Sequence, residues 1–204
     1  MQIYEETENL ISINEETEFL TEAAPEMSFS DTLGVAIGTC GVGFIKYAPG
    51  TWGSAVGVGI YLILRWFEAN LLNSWSAKGW QTATIEFWRT EITLAFVLVL
   101  SAISIWAGNK MVKVFKNKDP QQAVIDEVVG QVIGLAFLPL FAPWYLIMLG
   151  FFIFRFFDIL KPYPINSLQN LPGGLGVVAD DILAGIYTAV LLSFGVALFS
   201  SLGL

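Results

Sequence analysis

From residue 182 to residue 202 the chain runs without a charged side chain. About 20 apolar residues at ~1.5 Å each match the hydrocarbon thickness of a bilayer, so this run reads as a spanning helix. Residues 92–107 and 144–160 read the same way, and 53–67 and 124–138 are shorter runs of the same kind. Residues 33–45 are apolar but short and Gly-rich, which suits a re-entrant or interfacial segment. The expected fold class is all-α: a polytopic membrane helical bundle of about four to five spanning or re-entrant helices behind a disordered acidic N-terminal tail.

Charge is unevenly placed. Residues 1–30 hold eight of the 18 acidic residues and none of the ten bases, so the remainder is formally neutral. The tail reads as a separate disordered segment over 1–30, with a short amphipathic helix around 11–20, ahead of a membrane domain over 31–204. Its negative start does not resemble a cleavable signal peptide. No basic face suggests nucleic-acid binding. Histidine is absent, which excludes phosphohistidine chemistry, Ser-His-Asp triads and His-ligated zinc. The single cysteine, Cys40, cannot form an intramolecular disulfide. It is followed six positions on by Lys46 rather than Arg, so it reads as structural.

Between the runs lie polar punctuation marks. Residues 49–54 (PGTWGS) form a turn that Thr51 or Ser54 caps, with backbone N–H groups at a helix N-terminus offering an anion site. Residues 68–90 read as a polar and aromatic loop with Trp75, Trp80 and Trp88, suited to a membrane–water interface. Residues 109–119 carry Lys110, Lys113, Lys116 and Lys118, and the positive-inside rule places that loop in the cytoplasm. Pro139 and Pro143 mark a turn, and a Gly-rich loop over 172–176 precedes Asp180–Asp181.

Helix parity then brings four clusters to one membrane face: residues 49–54, Asp126–Glu127, Arg155/Asp158/Lys161 and Asp180–Asp181. Each has a plain reading. Acids in a first turn suit the helix dipole. An Arg–Asp pair three residues apart is an ordinary helical ion pair. A carboxylate after a Gly loop is a cap. Ionised groups beside lipid are costly, however, and five carboxylates in one zone give hard oxygen ligands that fit Mg²⁺. Arg155 suits bidentate capture of phosphate and Lys161 adds a point charge, while Asp158 between them is expected to stay ionised. Gly130 and Gly134 form a small-xxx-small face just below the first acids, which lets another helix pack closely.

Four stretches in register, PGTWGS, IDEVVG, FRFFDILKPYPI and LPGGLGVVADDILAG, resemble the phosphatidylglycerophosphatase A family over residues 33–203. The resemblance implies a Mg²⁺-dependent membrane phosphatase that converts phosphatidylglycerophosphate to phosphatidylglycerol and inorganic phosphate. It implies catalytic or metal-holding roles for Asp126, Glu127, Asp158, Asp180 and Asp181, and catalytic, phosphate-binding roles for Arg155 and Lys161. Gly50, Thr51, Gly53 and Ser54 are expected to assist substrate binding. The attacking group is a water activated by the metal or one of the aspartates. Two departures stand out: Asn166 where many relatives carry Arg, and Gln169-Asn170 where they carry an acidic–Arg pair. Those positions are not counted as catalytic. The membrane is expected to be a bacterial-type inner membrane, and the Lys-rich loop with helix parity puts the site on its cytoplasmic face. A CDP-alcohol phosphotransferase-like synthase needs an aspartate array that this chain lacks. A transporter would place polar groups at several depths.

Overall fold

The computed structural model describes residues 27–202, so most of the acidic tail, including the helix expected around 11–20, lies outside the described residues. Seven helices follow in order: α1 (Phe29–Thr39), α2 (Pro49–Ala77), α3 (Thr82–Phe115), α4 (Ile125–Leu135), α5 (Trp144–Leu160), α6 (Ile165–Leu168) and α7 (Gly173–Ser201). There is no strand among the described residues. Three helices, α2, α3 and α7, are long and apolar enough to cross a membrane. α5 has 17 residues, about 25 Å of helix.

The bundle is built around α4. Ten of its 11 residues are buried, with α2, α3, α5 and α7 packed about it. The outer helices bury one stripe each. On α5 that stripe is Gly150, Phe154 and Asp158, four residues apart, while Phe152, Phe156 and Ile159 face outward. Such a belt of exposed apolar side chains suits lipid, where charge is kept inside and grease outside.

Lipid removes most of the hydrophobic drive for helix association, so close contact between small residues carries much of it. A Cβ at Gly130 would lie 2.5 Å from the Asp181 carbonyl oxygen, and one at Gly185 only 2.4 Å from the Gly130 carbonyl oxygen. The small-xxx-small face expected of α4 is thus the contact between α4 and α7. Gly185→Ala is expected to cost about 3 kcal/mol, the upper end of overpacking, because the blocking atom is backbone and cannot swing away. Thermal unfolding in detergent measures it, and a melting temperature at or above wild type would contradict this account.

Several boundaries differ from expectation. Residues 68–77 and 82–91 are helical, so the expected 68–90 loop is a turn over 78–81. Glu68, Glu86 and Arg89, which suggest a loop by composition, are paired on the helices of the hairpin. Arg65 bonds Glu68 at 2.7 Å, Arg89 bonds Glu86 at 2.7 Å, and Thr93 donates to Glu68 at 2.5 Å. The Lys-rich segment is likewise helical through Phe115, with Lys110 and Lys113 holding the buried Asp31 of α1 at 2.9 and 2.7 Å. The turn expected at 49–54 is already the first turn of α2. Its N-cap is Ala48, without a side-chain cap bond, and Pro49 follows at N1, where its missing N–H is harmless. Neither Thr51 nor Ser54 caps it. The Gly-rich 172–176 loop is also helix, because α7 begins at Gly173. Its glycines serve proximity: a Cβ at Gly174 would lie 2.1 Å from the Ile105 carbonyl oxygen on α3. Asp180 and Asp181 therefore sit about 10 Å inside α7 rather than at its start.

A second buried charged group lies at the other end of the bundle. Arg65 and Glu68 are buried on α2, and Arg65 Nη2 donates to the Leu138 carbonyl just beyond α4. The expected boundary between the 53–67 run and the 68–90 loop separates Arg65 from Glu68, whereas α2 continues through both and pairs them.

Candidate active site

The start of α4 is pinned before its acids are placed. The Ala123 N–H donates to the Pro120 carbonyl at 2.8 Å, and the Val124 N–H donates to the Gly38 carbonyl at 2.9 Å. Asp126 and Glu127 follow in the first turn, where the helix dipole favours negative charge. The close α4–α7 contact brings Asp181 to them. One carboxylate oxygen each from Asp126, Glu127 and Asp181 lie within 4.8 Å of one another. Asp126 and Asp181 are buried and Glu127 is half-buried. Three carboxylates this close repel unless a cation or protons intervene.

The other two carboxylates are already paired. Asp158 receives Arg155 Nη1 at 2.5 Å. Asp180 receives Lys161 Nζ at 2.5 Å. Asp158 thus does not lie between two cations: α5 ends at Lys161 in the left-handed conformation (φ +43°), which turns that side chain toward α7. Arg155 Nη1 also lies 3.9 Å from Glu127 Oε1. The five acids divide into a cluster of three and two ion pairs. All but Asp180 line one cleft of about 360 Å³, together with Lys161, Pro49 and Asp119.

The PGTWGS turn contributes differently from expectation. Thr51 and Trp52 N–H groups bond the Ala48 carbonyl at 3.0 and 3.4 Å, which satisfies them within the chain. Thr51 is exposed and does not line the cleft. Ser54 is buried; it donates to the Gly50 carbonyl at 2.9 Å and accepts from Arg155 Nη1 at 3.4 Å. Gly50 and Gly53 make room for α4. A Cβ on Gly50 would lie 2.2 Å from Glu127 Oε1 and 3.0 Å from Arg155 Nη1. Both are ends of flexible side chains and can move aside. Gly50→Ala is therefore expected to leave thermal stability within about 1 kcal/mol of wild type, while lowering turnover about tenfold or more by displacing those two groups. Equal turnover, or a collapsed fold, would contradict it.

Two residues set aside by sequence reasoning enter the picture. Gln169 Nε2 donates to Asp180 Oδ2 at 3.0 Å, sharing that oxygen with Lys161. Gln169 departs from the family pattern, and no spacing in the sequence points to Asp180 as its partner. Cys40 is half-buried and its Sγ donates to the Ile37 carbonyl at 3.1 Å. Burial, with the Glu127 charge added, pushes its thiol up to about 11, so it is a poor nucleophile at neutral pH.

Residues 36–196 match the family model of phosphatidylglycerophosphatase A. The chain belongs to the phosphatidylglycerophosphatase A family. Relatives include a Bacteroides thetaiotaomicron protein provisionally named a phosphatidylinositol-3-phosphatase, 36% identical over 79% of this chain and 92% of its own length. A phosphatidylglycerophosphatase A of Haemophilus influenzae is 34% identical over 74% of this chain and 81% of its own length. The Escherichia coli protein of that name is 28% identical over 76% and 77% respectively. No solved structure matches. As a member of the phosphatidylglycerophosphatase A family, the chain is a phosphoric monoester hydrolase. Its matched region takes in every helix from the middle of α1 to most of α7.

Proposed function

We propose that the protein hydrolyses the terminal phosphate of phosphatidylglycerophosphate at the cytoplasmic face of a bacterial-type inner membrane, with Mg²⁺ as cofactor. The observation that carries this is the cluster of Asp126, Glu127 and Asp181 beside Arg155 and Lys161, at one end of a membrane bundle of this family. The orientation rests on the bases. Lys46, Lys110, Lys113, Lys116, Lys118, Arg155 and Lys161 lie toward the cleft end, against Arg65, Lys78 and Arg89 toward the other, which the positive-inside rule reads as cytoplasm at the cleft.

The donor set fits Mg²⁺, which takes hard oxygen ligands from few carboxylates and the remainder from substrate and water. Glu127 Oε2 and Asp180 Oδ1 are buried without a partner among the described residues, as an acidic site awaiting a cation would be. Asp126, Glu127 and Asp181 would hold the ion, with Asp158 and Asp180 close by. Bound there, Mg²⁺ supplies charge neutralisation at the phosphoryl oxygens. Arg155 and Lys161 exchange part of their contact with Asp158 and Asp180 for the phosphate oxygens, Arg155 as a bidentate donor and Lys161 as a point charge. Gln169 holds Asp180 in place while Lys161 moves. An oxygen nucleophile, water or a carboxylate of the cluster, forms the new P–O bond as the bond to the headgroup glycerol breaks. The leaving alkoxide takes up a proton. A carboxylate attack would leave an acyl phosphate, which water then cleaves. The acyl chains stay in the bilayer.

A second reading has one observation behind it: the 36% identical relative is named for phosphatidylinositol 3-phosphate. Both lipids offer a phosphomonoester on a headgroup. Phosphate release from micelles of each lipid, with Mg²⁺ and with chelator, separates the readings. Phosphatidylglycerophosphate is expected to be turned over at least tenfold faster, and only with the metal. Preference for the inositol lipid would establish the second reading, and undiminished turnover in chelator would remove the metal from the mechanism.

A further inference from the structure

Lys161 must leave one partner to reach another. Its Nζ is held by Asp180 Oδ2 at 2.5 Å, yet Lys161 lines the cleft and Asp180 does not. Adjacent residues on a helix point about 100° apart. Asp181 therefore joins the carboxylate cluster while Asp180 turns to the segment that follows α5. The Asp180 side chain is only 4% exposed. Its Oδ1 is buried without a partner among the described residues, so Oδ2 carries the hydrogen bonding of the group. Two donors meet there: Lys161 Nζ, and Gln169 Nε2 at 3.0 Å. A buried carboxylate stripped of its donors is costly. With Lys161 drawn away, Gln169 is the donor that remains among the described residues.

Packing one turn away brings Gln169 to this place. Ile165, four residues earlier, is fully buried in one apolar cluster with Phe154 of α5 and Ala184 of α7. Ala184 in turn lies four residues after Asp180. The short α6 and the start of α7 are thus in register, with Ile165 beside Ala184 in the apolar layer and Gln169 on Asp180 one turn nearer the cleft end. Gln169 itself is exposed. Ile165 does the packing, and what the amide adds is its bond to Asp180.

We propose that Gln169 sets how readily Lys161 passes from Asp180 to a phosphate, and so sets the affinity of the site for phosphomonoesters and for inorganic phosphate. The Gln169 bond is worth more to a buried carboxylate that has lost its lysine than to one that keeps it, so the amide favours the released state. This rests on the proposed reading of Lys161 as a phosphate ligand. Gln169 does not line the cleft. It is a positioning residue that acts through Asp180 and Lys161, on binding rather than on the bond-breaking step.

The test is a double-mutant cycle on the full chain in detergent with Mg²⁺. Isothermal titration with inorganic phosphate gives Kd, and phosphate release from phosphatidylglycerophosphate micelles gives kcat and KM. Gln169→Leu is expected to raise both Kd and KM about tenfold, the scale of one hydrogen bond to a charged group. Its kcat is expected within about threefold of wild type, and its melting temperature within about 2 °C, as for other exposed positions. Lys161→Met is expected to weaken phosphate binding by itself. On that background Gln169→Leu is expected to change Kd by less than about twofold, because no lysine is left to release. A Gln169→Leu variant that binds phosphate as wild type does overturns the proposal. So does an equal loss with and without Lys161, which would make the effect a general loosening around α6. A wild-type protein that binds no phosphate would overturn the reading of Lys161 as a phosphate ligand, and this inference with it. The calorimetric arm contains no lipid substrate, so its result is independent of which lipid the protein hydrolyses.

Discussion

Asp126→Asn is expected to lower phosphate release by about 10³-fold, equivalent to about 4 kcal/mol of barrier, while making the metal-free protein more resistant to heat. Both effects come from one geometry. Asp126 contributes a carboxylate oxygen to a group of three within 4.8 Å, and the residue is only 8% exposed. If the cluster exists to hold a cation, the amide removes one of three anionic ligands and the ion is lost or misplaced. Without the ion the same substitution relieves repulsion between buried like charges. Melting temperature without divalent metal is then expected to rise by a few degrees, and the stabilisation that added Mg²⁺ gives to wild type is expected to shrink. Opposite signs for turnover and stability separate a metal ligand from a structural acid. A variant that keeps its turnover, or that melts lower without metal and is equally stabilised by it, would remove Asp126 from the metal site.

Arg65→Met is expected to destabilise the bundle by about 3–5 kcal/mol, the usual cost of breaking a buried pair from one side. Arg65 holds Glu68 at 2.7 Å and also supplies a donor to the Leu138 carbonyl. Its guanidinium carbon lies 5.3 Å from the Tyr61 ring centroid, which adds a cation–π contact. The Leu138 bond matters because α4 is short. Eleven residues span only about 16 Å, so α4 ends within the bundle, and its last carbonyls need donors that lipid cannot supply. With methionine at 65, Glu68 retains Thr93 at 2.5 Å and the distant Arg89 at 3.8 Å, and the carbonyl beyond α4 is uncapped. Adding Glu68→Leu to Arg65→Met is expected to recover about half of the loss, because the stranded charge is gone while the carbonyl remains bare. Thermal melts of the two variants decide it. A double variant no more stable than the single one would show that Glu68 was not stranded.

Much of the site was legible because its chemistry is written in consecutive letters. Asp126–Glu127, Arg155 with Asp158, and Asp180–Asp181 are conspicuous among apolar neighbours, and helix parity was enough to bring them to one end. What could not be read was which charge meets which. Arg155, Asp158 and Lys161 sit on one stripe by spacing, yet a left-handed residue at the end of α5 sends Lys161 to Asp180. The two helical extensions around residues 68–91 were hidden for a related reason. Their charges read as solvent-loving in isolation, although Arg65–Glu68 and Glu86–Arg89 pair within their own helices, and only the packing of α2 on α3 brings Thr93 and Arg89 to Glu68.

The amino-acid order by itself determined that this chain is a helical membrane bundle, and that its candidate site is acidic and lacks histidine. Length and hydropathy set the first, since lipid permits few ways to satisfy a backbone. Composition set the second. The tertiary structure alone decided that three of the five acids form a cluster while two are held by Arg155 and Lys161, and that PGTWGS is a close-packing surface rather than an open anion turn. Those outcomes depend on helix separations set by Gly50, Gly130 and Gly185. A glycine's effect on separation is fixed by what stands opposite it, and no window of sequence contains the opposite helix.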